Sequence, residues 1–420
     1  MGFLIKGGNV VFNDMVKVSD ILIRDGIVKK VGQDLSCENV KIIDATGLAV
    51  VPGLVDMHVH FRDPGFCYKE DIETGCNAAA AGGITSVACM PNTSPTIDCE
   101  KIISYIKDKS KKSKVKVYPI AAITKGLDGK ELVNFGNLVS KGAVGFSDDG
   151  RPVENANLLK HAMLETNRLK VPIISHCEDL DIVDGGIINN GTVSKKLGVK
   201  GIDRASEDSI TAREIAIAAA TDCGIHIAHV STVGSVNIIR DAKRRGVRVT
   251  AETCPHYFML TEDKLLSKDA DYRMNPPLRT EEDRVAIEQA IMDGTIDCIA
   301  TDHAPHSVSE KEDFLSAPNG VVGLETSLAC VLTHFYHTNK MNLMQIVKLM
   351  ASNPSKILKI NGGEISEEMP ADIALVDLNK EWIVDPEKFY SKGRNSAFKG
   401  MRLKGKVVKT FCAGKLVFEI

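Results

Sequence analysis

The chain has 420 residues, of which 44% are hydrophobic and 25% charged, a composition typical of a globular protein with one large domain and a smaller companion. Lys and Arg number 52 against 55 for Asp and Glu, and this formal net charge of -3 gives no electrostatic reason to expect nucleic acid or a membrane as a partner. The 11 cysteines form no Cys-x-x-Cys pair, and neither a leader pattern nor an apolar run of ~18 residues is visible. We therefore expect a cytoplasmic protein that acts on a small molecule.

Short alternating apolar runs occupy both ends of the chain. Residues 1–52 contain "LIKGGNVVF" and "SDILIRDGIVKKVG", and residues 356–420 contain "ADIALVDLNKEWIVDP" and "GKVVKTFCAGKLVFEI". Alternation with period two, broken at Gly and Asn-Asp, is typical of half-buried strands joined by turns. The two segments are predicted to combine into one small β-sandwich domain.

Residues 53–355 form a second predicted domain, in which short apolar runs alternate with helix-like segments. The eight runs are "LVDMHVHF", "ITSVACMP", "VKVYPIAAI", "AVGFSDD", "VPIISHCE", "IHIAHVS", "VRVTAETCPH" and "IDCIATDHA". Eight strand-helix units favour an α/β fold of the TIM (β/α)8 barrel type over an open, doubly wound sheet. In a TIM barrel the catalytic residues lie at the carboxyl ends of the strands.

Polar side chains occur at or near the ends of five of these runs. They are His58 and His60 in the first, Asp148 and Asp149 in the fourth, His176 in the fifth, His229 in the sixth and Asp302 in the eighth. Positions i and i+2 of a strand face the same side, about 6.6 Å apart, so His58 and His60 can share one cation. One such histidine alone is more often structural, but the whole set of nitrogen and oxygen donors predicts a site for zinc or a similar divalent metal.

Two further histidines are expected outside this site. His226 begins a strand, away from the carboxyl end, and is interpreted as structural. His303 follows Asp302 directly, and adjacent strand residues point to opposite faces, so its side chain should lie behind the site.

Several motifs, in this order, resemble those of one enzyme family. They are "VDMHVHFRDPG" at 55–65, "MPNT" at 90–93, "GFSDDGRP" at 145–152, "SHCED" at 175–179, "AHVST" at 228–232, "MNPPLR" at 274–279 and "ATDHAPH" at 300–306. Over nearly the whole chain the sequence resembles the amidohydrolase superfamily and, within it, the dihydroorotases of the longer bacterial type.

The resemblance implies a zinc-dependent enzyme that reversibly closes N-carbamoyl-L-aspartate to L-dihydroorotate in pyrimidine synthesis. It implies one or two Zn²⁺ ions, with His58, His60 and Asp302 at one, His176 and His229 at the other, and Asp149 bridging both. It makes Asp302 the catalytic residue, which shuttles a proton. It assigns substrate binding to Arg62, Asn92, Asn275, His306, Asn319 and Gly320. A homodimer is expected, and association with aspartate transcarbamoylase stays open.

Arg62 has a role that its chemistry supports independently. Its planar fork of donors suits a carboxylate better than a lysine would, although a salt bridge at the rim is the alternative. His58, His60 and Arg62 stand at i, i+2 and i+4 and are expected to share one strand face. Asp63, followed by Pro and Gly, is expected to shape the turn that directs Arg62.

The fourth run separates the possible relatives. Dihydropyrimidinases and allantoinases typically bridge their metals with a carboxylated lysine here, whereas "GFSDDGRP" contains no lysine. Those enzymes are the alternative function, and a non-catalytic partner of aspartate transcarbamoylase is a second one. Within the lid-like segment 307–323, Asn319 stands where the family often has an aromatic residue, so the resemblance does not carry a ring-packing contact to this chain.

Overall fold

The computed structural model describes residues 2–420. The N-terminal alternating runs form strands β1 (Gly2–Val11), β2 (Val16–Arg24), β3 (Ile27–Gly32), β4 (Val40–Asp44) and β5 (Ala49–Pro52). Strand β1 pairs antiparallel with β2 and parallel with β4 and then β5. The first segment of the chain is therefore a small sheet centred on β1.

The middle of the chain forms a closed barrel of parallel strands. The barrel strands are β6 (Leu54–Val59), β7 (Ile84–Cys89), β8 (Lys116–Ala121), β9 (Gly145–Phe146), β10 (Ile174–Ser175), β13 (Ile225–Ile227), β14 (Val249–Thr253) and β15 (Cys298–Ile299). A short parallel pair, β11 (Ile188–Asn189) and β12 (Gly201–Ile202), lies outside the barrel. Bridges between Phe146 and Ile173 and between Val59 and His303 join the sheet β6-β7-β8-β9 to the sheet β10-β13-β14-β15 at both edges. The predicted TIM barrel is confirmed.

Helices connect successive strands. They are α1 (Ile72–Ala81), α2 (Glu100–Ser110), α3 (Phe135–Lys141), α4 (Ala156–Leu169), α5 (Leu180–Val183), α6 (Thr192–Leu197), α7 (Ala205–Thr221), α8 (Val233–Arg244), α9 (Pro255–Met259), α10 (Glu281–Asp293), α11 (Ser327–Val331), α12 (Leu343–Val347) and α13 (Asn353–Leu358). Asp71 caps the start of helix α1: its carboxylate accepts a hydrogen bond from the Thr74 amide and so fixes where the loop after β6 ends. Among residues 2–420, no helix has both the length and the apolar character needed to cross a bilayer.

The C-terminal runs complete the β domain with β16 (Ile373–Ile383), β17 (Arg402–Cys412) and β18 (Lys415–Glu419). Strand β16 pairs antiparallel with β5, so one sheet runs in the order β18-β17-β16-β5-β1-β2-β3, with β4 on β1. Its apolar cluster combines both chain ends, for example Phe3 and Val50 with Ile373 and Phe411. The predicted β domain is confirmed, and its strands are joined in one continuous sheet.

Apolar side chains fill the inside of the barrel below the carboxyl ends of the strands. Val55, Met57, Ile120 and Ala300 belong to this cluster, together with Leu358 of α13. The boundaries drawn at residues 53 and 355 stay a prediction. Because the barrel is filled in this way, the polar side chains at the strand ends are left to line a cavity above the core.

Candidate active site and metal centre

A cavity of about 190 Å³ lies at the carboxyl ends of the barrel strands. Its lining residues are His60, Arg62, Asn92, Asp149, Gly150, His176, His229, Asn275, Asp302, Ala304, Asn319 and Gly320. His58 is fully buried and directs its Nε2 toward Asp149 and Asp302, and His306 lies behind Arg62. The structure therefore brings the residues that the sequence singled out into one place.

One group of donor atoms comes from β6 and the end of β15. His60 Nε2 lies 3.1 Å and His58 Nε2 3.6 Å from the same Asp302 oxygen, Oδ1. Asp149, which follows β9, places Oδ1 3.4 Å from His58 Nε2 and Oδ2 3.6 Å from His60 Nε2. Four side chains thus direct donor atoms toward one small volume.

A second group comes from the ends of β10 and β13. His176 Nδ1 and His229 Nε2 are 2.8 Å apart. They lie 3.5 Å and 3.6 Å from Asp149 Oδ1. Asp149 is therefore the one carboxylate of these two groups that faces the histidines of both.

The donor atoms fit a divalent cation by a test that is independent of the family. Among residues 2–420, His58 Nε2 and Asp149 Oδ1 are buried and lack a hydrogen-bond partner. A buried polar atom left in this way costs about 1–3 kcal/mol. A cation that accepts imidazole nitrogen and carboxylate oxygen would satisfy both atoms.

The charges of the cluster reinforce one another. Burial lowers the pKa of His58, but the carboxylates of Asp149 and Glu252 raise it more, so it lies well above its ordinary value. Burial raises the pKa of Asp149, but His58, His176 and His229 lower it further, to well below its usual range. The pKa of Asp302 is lowered as well, because the hydrogen bond from His60 and the charges of the neighbouring histidines together outweigh burial. Metal binding would therefore displace the proton from His58 and leave the carboxylates ionised.

Glu252 contacts the nitrogen of His58 that faces away from the cavity, and it was missed in the sequence. Its side chain is fully buried, with Oε1 2.6 Å from His58 Nδ1 and Oε2 3.4 Å from His226 Nε2. Burial raises the pKa of Glu252, but the two histidines lower it to about 2. A carboxylate on Nδ1 fixes the ring so that Nε2 faces the cavity. The available signal was a glutamate inside the apolar run "VRVTAETCPH".

Glu178 contacts both a predicted metal ligand and a predicted substrate-binding residue, and it was also missed in the sequence. Its Oε2 lies 3.1 Å from His176 Nε2, and its Oε1 accepts a hydrogen bond of 3.0 Å from Asn275 Nδ2. The residue stands within the quoted motif "SHCED", two positions after His176, and that spacing was the signal. A single carboxylate thus orients one predicted metal ligand and one predicted substrate contact.

Asn92 connects the same two functions on the other wall. Its Oδ1 lies 2.8 Å from His60 Nδ1, and its Nδ2 donates to Asp149 Oδ2 at 3.3 Å. Its amide therefore holds two predicted metal ligands and also borders the cavity.

Arg62 reaches the cavity by a different route from the one expected. Strand β6 ends at Val59, and Arg62 has a φ of 59°, so the expectation that it shares a strand face with His58 and His60 is wrong. The chain has already turned at Arg62. Its Nε donates to the Pro305 carbonyl at 3.3 Å, and Nη2 lies 3.3 Å from His306 Nε2.

Three residues of this site have a strained backbone. Arg62, His229 and Asp302 have φ values of 59°, 32° and 49°, in the left-handed region that side chains with a Cβ rarely adopt. Such conformations cost of order 1–3 kcal/mol each and persist where the surrounding contacts enforce them. They direct these three side chains into the cavity, whereas His303 turns to Glu70, 3.3 Å away.

Comparisons with known proteins agree with this geometry. A family model described as dihydro-orotase-like matches residues 47–235. The dihydroorotase of Acetivibrio thermocellus is 49% identical over 418 residues, which cover 99% of this chain and 98% of the relative. That of Geobacter sp. strain M21 is 49% identical over 424 residues and 100% of both chains.

Solved structures with the same fold come from related ring hydrolases. The L-hydantoinase (dihydropyrimidinase) of Arthrobacter aurescens matches with a TM-score of 0.89 and 27% identity, over 99% of this chain and 96% of that one. The dihydropyrimidinase of Brevibacillus agri NCHU1002 matches with a TM-score of 0.88 and 24% identity, over 100% and 95%. At that identity the second likeness concerns the fold alone.

Proposed function

The chain belongs to the dihydroorotase family of cyclic amidohydrolases, and we propose that its cavity interconverts N-carbamoyl-L-aspartate and L-dihydroorotate. The observation that carries the proposal is the position of Asp149, whose Oδ1 lies 3.4–3.6 Å from imidazole nitrogens of His58, His176 and His229. A carboxylate supplied by the chain itself stands where the ring-opening relatives would use a modified lysine.

The neighbouring aspartate supports this assignment. Asp148 turns its carboxylate away from the histidines and accepts hydrogen bonds from the backbone amides of Ile123, at 2.7 Å, and Thr124, at 3.1 Å. Asp149 is left as the bridging candidate. Because Asp149 can supply the bridging carboxylate without a modified lysine, dihydropyrimidinase and allantoinase activities are less favoured. The non-catalytic role is less favoured because every expected ligand is present.

The donor set would hold one or two divalent cations, and we propose Zn²⁺. His58, His60 and Asp302 are assigned to one ion, His176 and His229 to the other, and Asp149 to both. Such a metal supplies the Lewis acidity that polarises a carbonyl and activates water.

Asp302 is proposed to move the proton. Its lowered pKa keeps it ionised at neutral pH, so it can accept a proton from the attacking water. It then delivers that proton to the ring nitrogen as the amide C–N bond breaks. In the direction of ring closure, it takes the proton from the carbamoyl nitrogen and returns it to the departing oxygen.

The remaining cavity residues are proposed to hold the substrate. Arg62 offers its guanidinium to a carboxylate, and Asn92 borders the same wall. Asn275, Asn319 and Gly320 also line the cavity, and His306 lies behind Arg62. The homodimer, the association with aspartate transcarbamoylase and the cytoplasmic location stay predictions.

Metal analysis of the purified protein, combined with assays on three rings, tests the function. We expect bound zinc and turnover of dihydroorotate, without turnover of dihydrouracil or allantoin. Turnover of another ring in place of dihydroorotate would support the ring-opening alternatives. Bound metal without any turnover would favour the partner-protein role.

A matched pair of variants tests the ligand assignment. His176→Ala should lower the metal content, whereas His161→Ala, on the exposed side of α4, should leave it unchanged. Equal metal content in His176→Ala and the parent would show that the assignment is wrong.

A further inference from the structure

A segment of the β domain contacts two loops at the carboxyl end of the barrel. Residues 391–395 belong to the connection between β16 and β17 and contact the loop after β6. The Ser391 hydroxyl donates to the buried Glu70 carboxylate, and Lys392 Nζ donates to the Cys67 carbonyl at 2.7 Å. The segment is thereby fixed to the barrel at one side of the cavity.

Asn395, at the end of this segment, binds both ends of one loop, residues 304–322. Its Oδ1 accepts from the His306 amide at 3.1 Å, and its Nδ2 donates to the carbonyls of Ala304, at 3.2 Å, and Gly320, at 2.9 Å. Its own carbonyl accepts from the Val322 amide at 2.9 Å. Only 3% of Asn395 is exposed, so these bonds are shielded from water.

The held loop carries the predicted substrate contacts His306, Asn319 and Gly320. His306 Nε2 lies 2.9 Å from the Asn319 carbonyl, and the Gly320 carbonyl also accepts from Lys311 Nζ at 3.1 Å. Gly320 has a φ of 142°, and a Cβ there would lie 2.7 Å from the Ala304 carbonyl oxygen. The two ends of the loop are thus in close contact, and the Asn395 amide joins them.

We propose that Asn395 is a positioning residue for the substrate site, supplied by the β domain from outside the barrel. It contacts the loop backbone and lies outside the lining of the cavity, so it acts through His306 and Gly320. A loop ordered before binding does not lose that freedom when the substrate arrives, which strengthens binding. This inference rests on the proposed function only in taking dihydroorotate as the substrate.

Asn395→Ala and a matched control test this role. Asn353→Ala also removes an amide-to-carbonyl bond between distant segments, from Asn353 Nδ2 to the Asp297 carbonyl at 2.7 Å, but its partner is not in the cavity. For Asn395→Ala we expect KM for dihydroorotate to rise about fivefold or more, with kcat within about threefold of the parent and metal content unchanged. Asn353→Ala should match the parent in KM.

Hydrogen exchange of the substrate-free protein provides a readout that does not depend on activity. Peptides from 304–322 should exchange about tenfold faster in Asn395→Ala and at the parental rate in Asn353→Ala. Faster exchange without a rise in KM, or a rise in KM without faster exchange, would overturn the proposal. A fall in kcat together with metal loss at unchanged KM would overturn it as well.

A second variant covers the case in which Asn395→Ala does not fold. Lys311→Met removes the other side-chain donor to Gly320 and should produce the same pair of changes, and parental values for both would refute the role of the loop. If the parent protein itself fails to turn over dihydroorotate, the proposed function fails. The exchange experiment then still decides whether Asn395 holds the loop.

Discussion

Replacing Glu252 by Gln tests whether a buried carboxylate outside the cavity controls metal affinity. The exchange removes the negative charge 2.6 Å from His58 Nδ1 while retaining an oxygen that can still accept the Nδ1 proton. The side chain keeps its size and its fully buried position. The variant therefore changes the electrostatics of one predicted ligand with little change in packing.

The size of the effect follows from these contacts. A hydrogen bond to a charged group contributes about 1.5–3 kcal/mol, and Gln retains part of it. Loss of such a partner typically lowers metal affinity about 10–100-fold, or roughly 1.4–2.7 kcal/mol. A second effect opposes this loss of affinity at low pH. Glu252 raises the pKa of His58 and so favours the proton that a metal must displace, and the Gln variant weakens this competition by the proton. The loss of affinity should therefore be larger at about pH 8 than at about pH 6.

Competition between the apoprotein and a chelator of known affinity measures the effect directly. Glu70→Gln is the matched control, because Glu70 is also fully buried and lies 3.3 Å from a histidine, His303, that is outside the predicted ligand set. We expect Glu70→Gln to bind zinc like the parent. Equal affinity in the parent and Glu252→Gln, or equal losses in both variants, would refute the reasoning.

Three further variants address turnover, substrate binding and stability. Asp302→Asn should abolish turnover while preserving the fold seen by circular dichroism, and retention of more than about a tenth of parental activity would exclude the proton-transfer role. Arg62→Met should mainly raise KM for carbamoyl aspartate, and an unchanged KM would indicate a salt bridge at the rim instead. Burial raises the pKa of Glu325 to about 7, above the value in the unfolded chain. The protonated side chain therefore stabilises the fold at low pH, and this stabilisation is lost as the pH rises through 7. Urea unfolding of Glu325→Gln should therefore show a gain over the parent that is larger at about pH 8 than at about pH 5, and a gain independent of pH would contradict this.

The barrel was predictable because its strands carry a strong local signal. Strands buried on both faces read as continuous apolar runs, and all eight predicted runs contain a barrel strand. Their lengths were less predictable: regular pairing in β9, β10 and β15 covers two residues each. Polar residues at the strand ends break the apolar run, which is why candidate ligand positions could be predicted from the sequence.

The supporting residues were not predictable in the same way. Glu252 and Asn395 act on partners that are far away in the chain, and one sequence contains no record of those contacts. Arg62 shows a second limit, since its direction depends on a backbone turn after Val59 that strand periodicity cannot describe. Residue type indicated the candidate chemistry, whereas only the tertiary structure shows which groups contact the predicted ligands.

The pairing of β5 with β16 has a consequence for how the protein is made. Residues 49–52 leave the ribosome long before their partner, residues 373–376, has been synthesised. Until then one edge of β5 has no strand to pair with, and unpaired edges promote association between chains. The sheet of the N-terminal strands therefore stays incomplete until residues 373–376 have been synthesised. The barrel core is likewise incomplete until Leu358 has been added. We expect nascent chains of this protein to depend on chaperones longer than a protein whose small domain is encoded in one piece.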